Sequence, residues 1–326
     1  MADSGALALA RYMEVQGIAR GVLEAIQALW RDVTPDRILS AMQGETGRQI
    51  LAAVTAGQMT AAAGAQAFVT GAMLAQGAAA GPVGMLAPER LAGIAADGRT
   101  LATLLYLPAI RTAQALALGA APEVASLAGL NQMATMVSTT ITDTARTATS
   151  VAMAAEPRCR FYVRVVRLPA CARCIILAGQ TYSYSEGFKR HPRCDCGVEP
   201  MTDREWKASK GPEDLIREMT PEEQHKRLGA AGVKALEAGA DLGQIVNARR
   251  GMATAQTSGG PVRVTTEGTT KRGIGVKAMG SEFQKVPTSR YMRTVEARQM
   301  PETIFKRAGG NRELEIAMLK KHGYIV

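Results

Sequence analysis

Between Pro169 and Pro200 the sequence reads PACARCIILAGQTYSYSEGFKRHPRCDCGVEP, which holds four of the chain's five cysteines and one of its three histidines. Cys171 and Cys174 form a C-x2-C pair. After sixteen residues His191, Cys194 and Cys196 follow as H-P-x-C-x-C. Thiolate and imidazole are the donors zinc prefers, and four of them in tetrahedral array close a structural site. A pair two residues apart can grip an ion from one tight turn, and the second cluster must be carried back to it by the intervening loop. His191, placed before a proline, is held in extended backbone, which helps aim its ring. Five donors compete for four places, so one is spare, and the spacing does not say which. With that many protein ligands no open coordination position is implied, and zinc catalysis needs one.

The same thiols suit other uses. Two disulfides would suit a secreted domain, but the opening Met1-Ala-Asp-Ser-Gly has no basic segment and no continuous apolar run. Cys159 would also be left odd. Coincidental buried thiols are the remaining reading. A structural Zn2+ site fits the pattern best.

The run C-x2-C-x2-L-A-G, then G-F-x-R-H-P-x-C-D-C and a nearby proline, resembles the signature of MuF-like phage head-morphogenesis proteins. It is carried by Cys171, Cys174, Leu177, Ala178, Gly179, Gly187, Phe188, Arg190, His191, Pro192, Cys194, Asp195, Cys196 and Pro200. The form is most similar to that of actinobacteriophages, whose gene typically lies beside the portal gene and is often labelled a capsid maturation protease. The resemblance implies a minor capsid protein of the virion, assembled in the host cytoplasm and associated with the portal protein or the major capsid protein. It implies no catalytic centre.

The elements that must position these residues follow from pattern. Residues 4–31 repeat apolar side chains at helical spacing through Leu7, Ala10, Met13, Val15, Ile18, Val22, Ile26 and Leu29, and Thr34-Pro35 restarts a helix. No charge occurs from Ile50 to Pro88. Gln58, Gln66 and Gln76 interrupt that stretch, and Ala, Gly and Thr give little drive into lipid. Buried or oligomer-interface helices therefore fit better than a membrane span. Arg90 to Leu105 reads as helix, Pro108 as punctuation, Arg111 to Leu118 as continuation, and Pro122 opens a threonine-rich helix toward Thr149. Phe161 to Arg167 is β-branched and aromatic, and with Thr181–Tyr184 it makes a zinc-ribbon-like element. So small a sheet has little core, and metal is expected to supply the missing stability. Capping boxes at Thr202–Glu205 and Thr220–Glu223 start short helices, with Trp206 expected against the zinc unit. Asp241 to Arg250 reads as another helix. Val262, Val264, Ile274 and Val276 can form edge strands, and Pro301–Arg307 and Asn311–Lys321 are the last helices. The fold class is mainly α with a small β zinc-ribbon-like element (α+β), with a helical N-terminal half, an extended basic arm and short C-terminal helices. The expected segments are 1–156, an Ala/Gly-rich helical domain; 157–206, the zinc-stapled MuF-like core; 207–250, short helices; 251–299, a basic Gly/Thr-rich arm; and 300–326, C-terminal helices and an apolar tail.

Charge divides the chain. Residues 1–150 carry a net −1 and residues 151–326 a net +11, an asymmetry that points to a polyanionic partner for the second half. From Asn247 to Arg298 there are ten basic residues against three acids. They are Arg249, Arg250, Arg263, Lys271, Arg272, Lys277, Lys285, Arg290, Arg293 and Arg298, and they suit phosphate contact with packaged DNA or docking on capsid. Several copies or a homo-oligomer are expected, and a membrane partner is not. The alternatives are a capsid maturation protease and a zinc-ribbon nucleic-acid-binding protein. A protease needs a nucleophile and a base, yet outside the metal cluster only His225, in a charged helix, and His322, at a helix end, remain. No G-x-S-x-G or H-E-x-x-H is present, and nothing around Cys159 signals an activated thiol.

Overall fold

The computed structural model describes residues 3–79, 81–188, 190, 191, 194, 196–203, 209–270, 273, 279, 280, 282–285 and 290–325. Pro192, Asp195, Glu205, Trp206, Lys271, Arg272, Ile274, Val276 and Lys277 lie outside them. The structure is 59 % helical with small antiparallel sheets, hence mainly α with a minor β component. It divides into two compact units, Met1–Arg167 with Ala178–Lys210, and Leu168–Leu177 with Gly211–Val326.

The first unit is a helical bundle carrying a three-stranded sheet. Its helices are α1 (Ser4–Arg31), α2 (Ile38–Gln43), α3 (Glu45–Ala63), α4 (Ala65–Ala75), α5 (Leu101–Ala117) and α6 (Pro122–Ala155). The Asp3 carboxylate caps α1 by accepting from the Ala6 amide. The buried face of α1 is Ala8, Val15, Ala19, Ile26 and Trp30, while Met13 from the expected stripe faces solvent. Ile26 and Trp30 meet Ile50 and Val54 of α3 and Met133, Val137 and Ile141 of α6 in one apolar cluster.

With few aromatics to fill space, these helices approach through glycine. A Cβ on Gly129 would stand 2.0 Å from Thr112 Oγ1 and 2.9 Å from the Trp30 ring. Gly129→Ala is therefore expected to cost about 1–3 kcal/mol through overpacking, read as a lowered urea midpoint. Gly21→Ala, with nothing near its added Cβ, is the control.

The helix expected from Arg90 to Leu105 is broken. Pro88–Leu91 is a single 3-10 turn, Gly93 and Gly98 take positive φ, and α5 begins only at Leu101. Pro108, expected as punctuation, sits inside α5. A proline there forfeits one helix bond, and burial in the bundle offsets the loss.

The three glutamines that interrupt the uncharged stretch are backbone clamps. Gln58 accepts from Gly93 N and donates to Ile94 O; Gln66 accepts from Leu86 N and donates to Gly84 O; Gln76 accepts from Thr202 N and donates to Pro200 O. A primary amide offers a donor and an acceptor side by side, so it can pair with a loop backbone as a strand edge would. Gln76 in this way fastens α4 to the end of the sheet.

That sheet is Phe161–Val165 (β1), Thr181–Ser183 (β2) and Gly197–Met201 (β3), in the order β2-β1-β3. β1 and β2 were expected from sequence, and β3 was not. Phe161 pairs with Ser183, and Val165 pairs with Gly197. The chain leaves β1 at the end where β3 begins, so this register brings the β1–β2 connection and the residues just before Gly197 to one end of the sheet. A helical turn, Ala172–Ile175 (α7), lies in that connection.

In the second unit Pro212–Glu218 (α8), Pro221–Leu228 (α9), Ala230–Glu237 (α10) and Leu242–Ala248 (α11) follow one another. The Thr220/Glu223 capping box forms as expected. Residues 251–299, read as an extended arm, carry two antiparallel hairpins: Met252–Thr257 (β4) with Gly260–Thr265 (β5), and Phe283–Lys285 (β6) with Met292–Thr294 (β7). Arg298–Gln299 (β8) pairs with β5. Pro301–Ala308 (α12) ends at left-handed Gly309, and Asn311 caps Arg312–Lys321 (α13). The apolar tail docks within its own unit. Tyr324 is fully buried among Ile245, Met300, Ile304 and Leu319.

Candidate metal centre

The C-x2-C pair forms the tight turn its spacing suggests, with the Cys174 amide donating to Cys171 O at 3.0 Å as α7 begins. The ends of the β1–β2 connection are fixed by Arg164, whose amide donates to Gln180 O and whose carbonyl accepts from Gly179 N. Cys194 and Cys196 stand immediately before β3, and the Cys194 amide donates to His191 O at 3.0 Å.

All five donors enter two groups. The ligand atoms of Cys171, Cys174 and His191 lie within 4.8 Å of one another, and so do those of Cys174, Cys194 and Cys196. Cys174 belongs to both. Sulfurs on one tetrahedral zinc at ~2.3 Å stand roughly 3.8 Å apart, so donors this close need little movement to share an ion. Cys174, Cys194 and Cys196 are buried, and no disulfide joins them among the described residues. The cluster could bind a metal ion.

The groups behind the sulfurs were not among the residues expected from sequence. Arg164, in the middle of β1, is 1 % exposed. It donates through Nη2 to Cys194 Sγ at 3.5 Å and to Cys196 Sγ at 3.4 Å. Arg146 of α6 donates through Nη2 to Cys194 O at 2.5 Å and Cys194 Sγ at 3.7 Å, and through Nε to Cys196 O at 2.8 Å. Asp143, one turn earlier, pairs with Arg146 at 2.7 Å and with Arg190 at 2.6 Å. Phe188 covers the arrangement with its ring 4.4 Å from the Arg164 guanidinium and 5.7 Å from that of Arg146. Tyr182 stacks on Tyr162, and both flank Phe188. Thus the Phe and Arg of G-F-x-R-H-P hold the surroundings of the cysteines. One signal was present: after Glu123, Asp143 and Arg146 are the only charges in α6.

Cys159 is buried and donates to Phe161 O, and burial pushes its thiol up to about 12, with Glu156 adding to the rise. His225 is exposed on α9. His322 caps the end of α13 as expected, is 1 % exposed, and its Nδ1 accepts from the Gln299 amide. Burial pulls it down to about 4, with Lys321, Arg298 and Arg307 helping and Glu296 opposing.

The unfolded chain therefore binds a proton at His322 that the folded chain refuses. The resulting stability is present above about 6.5 and is lost as pH falls toward about 4, by up to ~1.4 kcal/mol per pH unit. Thermal melts of the second unit between pH 7.5 and 4.5 should show this slope, and His322→Gln should flatten it.

Of the ten basic candidates, Lys271, Arg272 and Lys277 lie outside the described residues. Arg250, Arg263, Lys285 and Arg290 are exposed. Arg249 donates to Leu228 O and pairs with Glu302, and Arg293 donates to Thr266 O and Thr269 Oγ1. Arg298 is a correction. It is 1 % exposed and its guanidinium is spent inside the unit, so it cannot meet a phosphate. No helix among the described residues is long and apolar enough to cross a membrane.

A family model described as VG15 protein matches residues 8–221, which include all but the first turn of α1, the helices α2 to α6, the sheet and all five metal donors. No curated protein and no solved structure matches the chain.

Proposed function

The chain belongs to the VG15 protein family and is phage-encoded; from that premise we propose that it is a minor capsid protein of head morphogenesis, held in shape by a structural zinc ion. The observation that carries this reading is the donor cluster itself. Thiol and imidazole groups suit zinc, and five of them, with buried Cys174 common to both groups, suit a closed, structural site rather than a catalytic one. The cluster lies within the family-matched region. The residues resembling the MuF-like signature support it further, since Phe188 and Arg190 are committed to the cysteine surroundings.

In this role the protein resides in the phage head in several copies and contacts the portal protein or the major capsid protein. Arg250, Arg263, Lys285 and Arg290 are exposed cations that suit packaged DNA or an acidic capsid surface. A maturation protease is the less supported reading, because burial raises the Cys159 thiol and so disfavours the thiolate that a nucleophile needs.

The test is a phage carrying a nonsense mutation in this gene, complemented by the wild-type chain. Mass spectrometry of purified particles should find the chain in heads, with about one zinc per copy in the isolated protein, and particles made without it should be defective. Normal heads that lack the chain would overturn the assignment. Uncleaved capsid protein accumulating in the mutant would favour the protease.

A further inference from the structure

The arginines behind the cysteines carry more than packing, given the structural-metal reading on which this inference rests. We propose that Arg164 and Arg146 form a cationic cradle that hydrogen-bonds the sulfurs of Cys194 and Cys196 in the metal-bound state and governs how tightly the ion is held.

Arg164 sits in a strand otherwise made of Phe, Tyr and Val, with a hundredth of its surface exposed. A guanidinium cannot shed its charge, and placing one in a protein interior is costly unless an anion or several acceptors meet it. A neutral thiol is a weak acceptor; a metal-bound thiolate is a charged one. Arg164 Nη2 is 3.5 Å from Cys194 Sγ and 3.4 Å from Cys196 Sγ, and Arg146 Nη2 is 3.7 Å from Cys194 Sγ. The Phe188 ring lies over both guanidiniums and keeps water from replacing the sulfurs as partners.

Arg146 has a second task. Its Nε and Nη2 bind the carbonyls of Cys196 and Cys194, so it fixes the backbone that aims both thiols. Groups that orient metal ligands in this way typically change metal affinity by about 10–100-fold when removed.

The full-length chain would be loaded with Zn2+ and titrated against a chromophoric chelator, then loaded with Co2+ for spectroscopy. Arg164→Gln and Arg146→Gln are expected to weaken metal retention by about tenfold or more. The sulfur-to-cobalt charge-transfer bands should move to lower energy, because thiolates without N–H donors are richer in electrons. Arg164→Lys keeps the charge but not the fork, and should fall between wild type and Arg164→Gln. Arg160→Gln, one exposed charge removed from the residue before β1, should match wild type. If Arg164→Gln fails to fold, Arg146→Gln and Arg164→Lys carry the test. Wild type binding metal while these variants keep its affinity and its cobalt spectrum would overturn this inference alone, as would Arg160→Gln weakening metal as much as they do. Wild type failing to bind metal would overturn the structural-zinc reading with it.

Discussion

Cys174→Ser is expected to empty the metal site, whereas loss of His191 is not. Cys174 is the one donor shared by both groups of ligand atoms. Without it, Cys171 and His191 remain as one pair and Cys194 and Cys196 as another, and neither pair completes a tetrahedral shell. Binding of structural zinc in small zinc-binding peptides is worth on the order of 10–16 kcal/mol, and β1 and β3, the strands next to the cysteines, have only ten residues between them to set against that loss. The consequences should be visible at two levels. Elemental analysis after gel filtration should fall from about one zinc per chain to near none. Hydrogen exchange should quicken in β1, β2 and β3 while the α1–α3–α6 cluster around Ile26 and Ile141 stays protected. His191→Ala should keep most of its metal, because five donors serve four places. A Cys174→Ser protein that retains one zinc per chain would sink the assignment of Cys174 as the central ligand.

The donors were legible because their chemistry is in their residue types. Few side chains bind zinc, and C-x2-C with H-P-x-C-x-C restricts them to two turns. The cradle was not legible, because an arginine's role is set by what it meets. Arg164 reads as one polar position in a strand, and Arg146 lies some fifty residues from the cysteines it supports. Helix ends were readable where a side chain caps them, as at Thr220, Asp241 and Asn311. They were misread where tertiary packing overrode a local signal. Pro108 stays inside α5 because that helix is buried along Leu101, Leu105 and Ala109, and Gly93 and Gly98 open a loop where apolar spacing alone suggested a helix. The glutamines of the uncharged stretch looked like interruptions, since their partners are backbone groups of loops with no side-chain signature.

Arg298 shows the same limit. Charge counting placed it with the cations of the basic segment, but its Nε donates to His322 O at 2.6 Å, Nη1 to Glu267 O at 3.2 Å, and Nη2 to Gln244 Oε1 at 3.0 Å and Gly323 O at 3.1 Å. The Tyr324 ring lies 4.2 Å from the guanidinium. One side chain thus ties β8 to α11, to the turn after β5 and to the chain beyond α13. Arg298→Met fills much of the volume but leaves those acceptors without their donor, and breaking such a buried polar hub costs about 3–5 kcal/mol. Arg298→Lys should recover little, because an ammonium cannot span a fork of four acceptors. Hydrogen exchange would locate the loss. Amides in α11, in α12 and at Tyr324, whose carbonyl accepts from Asp241 N, should lose protection, while α1, α3 and α6 keep theirs and zinc content is unchanged. Equal loosening of both units would refute a role confined to the second, and an unchanged melting temperature would refute the hub. If the substitution instead weakens DNA binding by the intact, fully folded chain, Arg298 belongs with the surface cations after all.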